Sequence, residues 1–331
     1  MSIGYQRFLE IITNFKKSKV FVIGDLILDQ FVWGDVSRIS PEAPVPVVHV
    51  DRESFMPGGA ANVATNVSAL KAKAAIIGVI GRDNWGKILK SKLRRNVDIT
   101  GIFTDTKRKT SLKTRIVARH QQVVRVDKEV ICQISNVLSG KIIRHIKRNA
   151  KKIKAIIIED YGKGVVNPYL IREIVKIAKE RKIIVNVDPK EEHFSYYRGL
   201  TCITPNQHEA EKATGIKIID NRSLLTAGRK LLKMIKAEAV LITRGEQGMC
   251  LFRKKGNKIT HIPTKAQEVF DVSGAGDTVI GVFTLALASG ASFEEAAHIS
   301  NYAAGVVVGK VGVGCCSQKE LLDGIRQDNK K

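Results

Sequence analysis

Short runs of β-branched and other apolar residues, at 20–23, 75–80, 155–158, 183–187 and 240–243, recur along this chain of 331 residues. Between them lie stretches that mix apolar and charged positions at helical spacing, at 59–70, 85–95, 168–181 and 222–235, with a last one at 318–326. Apolar strands separated by amphipathic helices are buried on both faces only in a mostly parallel sheet covered by helices, so the pattern predicts an α/β domain. Two regions break it. Residues 31–50, with Pro41, Pro44 and Pro46, cannot be helix and are expected to be extended. Residues 112–118 and 123–127, separated by Arg119-His120-Gln121-Gln122, alternate like an antiparallel pair. Together, 31–50 and 112–127 predict a small second sheet, suited to a lid over a site or to a dimerisation surface.

Composition narrows the class. Hydrophobic residues make up 44% of the chain, enough for a large core. No apolar stretch approaches the roughly 20 residues that span a bilayer, and the first seven residues lack the layout of a signal peptide, so a cytoplasmic location without membrane insertion is expected. The five cysteines form no C-x-x-C unit and the seven histidines are scattered, which argues against a disulfide framework or a structural zinc site. A formal charge of +23 invites a nucleic-acid reading. Its clusters, such as Lys147-Arg148 with Lys151-Lys152, carry no interleaved aromatics and read as solvated surface, able to steer anionic substrates. A dinucleotide reading fails because no G-x-G-x-x-G follows Ile23.

The chemistry concentrates in Asp271-Val272-Ser273-Gly274-Ala275-Gly276-Asp277, which runs into the apolar segment 278–288. A Gly-Ala-Gly turn at a helix start aims backbone N–H groups and the positive end of the helix dipole at a phosphate or a developing anion. Asp277 at the rim of that cradle is then placed to accept the proton of an attacking hydroxyl. The alternative is a glycine turn followed by a helix-starting Asp.

Other segments carry weaker signals. Gly58-Gly59 with Asn62 offers close backbone approach to sugar hydroxyls, or simply a tight strand-to-helix connection. Asp25 and Asp29 follow the first strand, where a carboxylate could read a polyol or could cap a turn. Asn206 and Glu209 could hold hydrated magnesium near ATP phosphates, or form a capping box. Thr243 and Gly245 close one strand and Asp188-Pro189-Lys190 another, with Lys190 able to reach a phosphate. Arg119 and Lys163 are the candidate readers of a phosphate on the substrate.

Gly58-Gly59-x-x-Asn62, Asn206-x-x-Glu209 and Gly274-Ala275-Gly276-Asp277 occur in order, and the chain resembles the ribokinase/PfkB family of sugar kinases. Within it, Ser37-Arg38-Ile39-Ser40-Pro41-Glu42-Ala43-Pro44, Gln121-Gln122, Asp160-Tyr161-x-Lys163-Gly164 and Ala266-Gln267-Glu268-Val269-x-Asp271 are similar to the branch that phosphorylates D-glycero-β-D-manno-heptose 7-phosphate. The resemblance implies a doubly wound sheet with helices on both faces, a small β lid that pairs in a homodimer, and ATP with Mg2+ as donor. It makes Asp277 the base and the amides of Gly274, Ala275 and Gly276 the anion hole. Asn206, Gln207, His208, Glu209, Thr243, Gly245 and Lys190 would bind ATP, with Asn206 and Glu209 reaching magnesium through water. Asp29, Gly58, Gly59, Asn62, Arg119, Asp160 and Lys163 would bind the sugar phosphate, and Asp271 would border a site for a monovalent cation such as K+. His120 stands where Asn is expected before Gln121-Gln122. The expected organisation is a single kinase domain with no C-terminal nucleotidyltransferase.

Overall fold

The computed structural model describes residues 4–119, 121–266, 269–310 and 314–328; His120, Gln267 and Glu268 of the motifs above lie outside them, as do the first three residues. Thirteen strands are formed among the described residues: β1 Lys19–Gly24, β2 Leu26–Ile39, β3 Pro46–Gly59, β4 Lys73–Gly81, β5 Asp98–Asp105, β6 Ser111–Ala118, β7 Gln121–Lys128, β8 Ala155–Glu159, β9 Ile184–Asp188, β10 Cys202–Ile203, β11 Ala239–Thr243, β12 Met249–Arg253 and β13 Ile259–Ile262. The helices are α1 Tyr5–Thr13, α2 Ala60–Ala69, α3 Asn84–Leu93, α4 Asn136–Asn149, α5 Pro168–Arg181, α6 Gln207–Thr214, α7 Asn221–Ile235, α8 Ala275–Ala288, α9 Phe293–Val308 and α10 Gln318–Asp328.

The main sheet has the order β13-β12-β11-β10-β9-β8-β1-β4-β5. It is parallel from β11 to β5, with β12 and β13 added antiparallel at one edge. The alternation of the strands divides the core. Val20 and Val22 of β1 and Ala155 and Ile157 of β8 face one layer, filled by α1, α2, α3, α8, α9 and α10. Phe21, Ile23, Ile156 and Ile158 face the other, filled by α4, α5, α6 and α7. Side chains of period two thus feed both layers of a doubly wound sheet, as the apolar runs predict. Local signals set the helix ends. Asn167 accepts from the Leu170 N–H at 2.9 Å with Pro168 behind it, starting α5 where the sequence places it. No helix of the described residues is long and apolar enough to cross a membrane.

The second sheet has the order β3-β2-β6-β7. It is longer than expected: β2 and β3 are 14 residues each and run back to Leu26 and Gly59, beside the main sheet. The strand order of the main sheet reverses between β1 and β8, whose carboxyl ends open a crevice. That switch point is where open α/β sheets bind ligands.

Candidate active site

Asp277 lies in the first turn of α8, a helix whose N-cap is Gly274 at φ 79° with no side chain capping it. The left-handed conformation suits glycine, and the first N–H groups of the helix have no acceptor one turn back. The Ala275 N–H donates to the Val272 carbonyl at 3.2 Å, so the amides left to face an anion are those of Gly274 and Gly276, two of the three expected. Asp277 is buried and held from two sides. Asn62 Nδ2 donates to its Oδ2 at 2.6 Å, and the Tyr161 hydroxyl donates to its Oδ1 at 3.0 Å. Burial pushes the carboxyl up to about 6, against the opposing pull of those two donors. An ordinary aspartate is a weak base; this one titrates within reach of neutral pH.

Asp277 and Gly274 line a cavity of about 80 Å³ with Ile27, Asp29, Gly58, Gly59, Asn62, Lys113, Arg115, Tyr161 and Ser273. The expected sugar-reading residues Asp29, Gly58, Gly59 and Asn62 are therefore brought together. Asp29 is ion-paired with Arg115. Gly59 has φ 56°, and a Cβ there would fall 2.7 Å from the Asp25 carbonyl oxygen, so the close approach needs glycine. Asp25 belongs to the framework. Its carboxylate accepts the N–H groups of Tyr161, Lys163 and Val165 at 3.0, 2.9 and 3.1 Å, pinning the loop that presents Tyr161.

On the far side of the α8 N-terminus, a cavity of about 510 Å³ is lined by Thr243, Gly245, Met249, Val272, Ala275, Gly276, Val279 and Val308 among others. Asp271 is next in sequence to Val272, which lines that cavity, and accepts from the Ser273 N–H at 2.8 Å.

Three carboxylates meet beside the first turn of α8. Oxygens of Glu159 from the end of β8, Asp188 from the end of β9 and Asp277 all lie within 4.8 Å of one another. Burial first pushes Glu159 and Asp188 well above the usual carboxylate range; the charges of Asp188 and Asp277 add to the effect on Glu159, and those of Glu209 and Asp277 to the effect on Asp188. Glu159 Oε2 is buried and has no hydrogen-bond partner among the described residues. An oxygen-only donor set with an orphaned oxygen fits a hard divalent cation such as Mg2+. Glu159, Asp188 and Tyr161 carry no role in the sequence reading, although two of them are acids directly after apolar runs, at the strand ends where ligands bind.

Other expected residues take different places. Asn206 and Glu209 form the capping box of α6, with reciprocal contacts of 2.8 and 2.9 Å. Gln207 is tied to Glu211 and the Ile218 carbonyl, and His208 lies 3.8 Å from Glu191. Lys190 Nζ is 3.5 Å from Glu192, and its charge partly opposes the burial that raises the Glu209 pKa. Asp160 does not line the cavity that holds Asp277 and meets protein partners: the Gly162 N–H at 2.8 Å, His193 Nδ1 at 2.8 Å and the Tyr197 hydroxyl at 2.6 Å. These contacts tie it to the framework. Arg119 is 72% exposed, 3.4 Å from Asp35 at the tip of the second sheet, and does not line the cavity. Lys163 is paired with Glu129 at 2.5 Å.

Residues 17–320 match the model of the pfkB family carbohydrate kinases. The chain belongs to that family. This carbohydrate kinase is 47% identical over 302 residues to the bifunctional protein HldE of Geobacter metallireducens, covering 91% of the chain and 61% of the relative. It is 45% identical over 308 residues to the HldE of Helicobacter hepaticus, covering 93% and 64%. The chain thus spans less than two thirds of these relatives' length. Its fold is shared with Arabidopsis thaliana ribokinase complexed with ribose and ATP (TM-score 0.73, 19% identity, 93% and 98% of the two chains). The same holds for phosphofructokinase-2 from Escherichia coli in complex with potassium (TM-score 0.77, 19% identity, 94% and 98%).

Proposed function

We propose that this kinase transfers the γ-phosphoryl group of ATP to the anomeric hydroxyl of D-glycero-β-D-manno-heptose 7-phosphate. The products are the 1,7-bisphosphate and ADP, a step toward the ADP-heptose of lipopolysaccharide core. The observation that carries the reading is the place of Asp277 beside Gly276, between a cavity lined by sugar-reading groups and a larger apolar one. The heptose assignment is supported by the proline-rich segment 37–48 and by the similarity to HldE proteins.

Asp277 accepts the hydroxyl proton as the sugar oxygen forms its bond to the γ-phosphorus and the bond to the ADP oxygen breaks. The loose transition state makes alignment count for more than full early deprotonation, and Asn62 and Tyr161 supply that alignment. The amides of Gly274 and Gly276 face the charge that develops on the transferred group. Thr243 and Gly245 would line the adenosine side of the ATP cavity. Asn206, Glu209 and Lys190 would lie toward its phosphates. Magnesium, held by Glu159, Asp188 and water-bridged Glu209, would neutralise phosphate charge. A monovalent cation is assigned to Asp271. The molecule is taken to act as a homodimer through its second sheet, whose edge strand β7 exposes Val124 and Val126.

The test is ADP release with ATP and magnesium, comparing heptose 7-phosphate with fructose 6-phosphate, ribose and no sugar, with Asp277→Asn in parallel. Heptose-dependent release, lost in the variant, is expected. Release with another sugar alone overturns the heptose assignment, and undiminished turnover by the variant overturns the base.

A further inference from the structure

The face of the second sheet that looks into the sugar cavity is a ladder of charges. Asp29 of β2 is opposite Lys113 of β6, which is opposite Asp127 of β7. Two positions along, on the same face, stand Phe31, Arg115 and Arg125. Two cations of this ladder, Lys113 and Arg115, line the cavity that contains Asp277.

Their neutralisation differs. Arg115 is engaged by Asp29 in direct contact and lies over the Phe31 ring at 5.4 Å. Among the described residues the ion pair of Lys113 is with Asp127, at 3.7 Å, and Asp127 is already gripped by Arg125 at 2.9 and 3.2 Å. Lys163, the cation expected to read a phosphate, is taken by Glu129, and Arg119 is at the other end of the lid. Lys113 is nonetheless mostly buried, 16% exposed in its side chain. Burial first, with the nearby charges of Arg125 and Lys163, holds its ammonium below the usual lysine range against the opposing pull of Asp127 and Glu129.

We propose that Lys113 binds the phosphate that the sugar substrate carries away from its reacting hydroxyl, and so selects sugar phosphates over free sugars. This rests on the reading of the acceptor as a sugar phosphate. The geometry behind it is a single row: Asp29 meets the sugar hydroxyls and its cross-strand neighbour Lys113 meets the group beyond them.

The experiment measures KM and kcat for heptose 7-phosphate and for the same heptose without its phosphate, using wild type, Lys113→Met and Lys113→Arg, each with its melting curve. Lys113→Met is expected to raise KM for the phosphorylated sugar about tenfold or more. It should change kcat little, leave the free heptose unaffected and be largely rescued in Lys113→Arg. Equal losses for both sugars, or no change for either, overturn the assignment. Preference of the wild type for a different sugar phosphate, lost in Lys113→Met, overturns the heptose reading and supports Lys113. Preference for an unphosphorylated sugar overturns both.

Discussion

Asp277 joins two costs that pull in opposite directions. Burial raises its pKa from 3.8 to about 6, so the folded protein holds this proton more tightly than the unfolded chain does. The linked stabilisation is complete below the unfolded value and is gone once pH has risen through about 6. At pH 7.5 the carboxylate is a net burden on the fold. Asp277→Asn should therefore melt higher than wild type at pH 7.5, by up to about 3 kcal/mol of stability, and alike below pH 4. The same variant should lose about 10² to 10⁴ in kcat. In the wild type, kcat/KM should rise through a limb near pH 6, where the base loses its proton. Tyr161→Phe removes a donor that stabilises the ionised form, so that limb should move to higher pH. A pH–rate profile that stays in place would show that the Tyr161 hydroxyl does not bear on the base.

At the scale of elements, the junction of β3 with α2 is tightly packed. Gly59→Ala must carry a Cβ at positive φ against the Asp25 carbonyl, and should lose roughly 2 kcal/mol or more in denaturant unfolding together with sugar affinity. A variant that unfolds and binds like wild type would show that this junction relaxes freely. Elements whose stability comes from local pattern were legible: α5 begins and ends where its Pro, its cap and its periodicity indicate, and β1, β4, β8, β9 and β11 lie within two residues of their apolar runs. What was not legible depends on distant partners. β10 is two residues long and owes its existence to β9 and β11 on either side. Arg115 finds Asp29 across 86 positions of sequence, and no local pattern announces that pairing. The motif Asn206-x-x-Glu209 shows the converse: its residue types fit a metal as well as a cap, and the backbone of α6 takes up both side chains.

For the whole molecule, the second sheet has two unlike faces. One carries Asp29, Lys113 and Arg115 toward the cavity. The other, by strand alternation, carries Val32, Ile116, Val124 and Val126, the last two 45% and 42% exposed. Apolar side chains in that position on an edge strand are suited to a second copy of the chain. Analytical ultracentrifugation should find a dimer for wild type and a monomer for Val124→Glu/Val126→Glu; a wild-type monomer, or a doubly substituted dimer, places the interface elsewhere. The hairpin of β2 and β3 runs from this surface to the cavity, with register shifts between Trp33 and Gly34 and between Val36 and Arg38. From Ile39 to Asp29 it reaches about 30 Å, with Gly58 and Gly59 at its inner end and the proline-rich turn at its outer one. A ligand held at that tip would therefore touch the same two strands that carry Asp29 and Gly58 to the cavity, while lying well outside it.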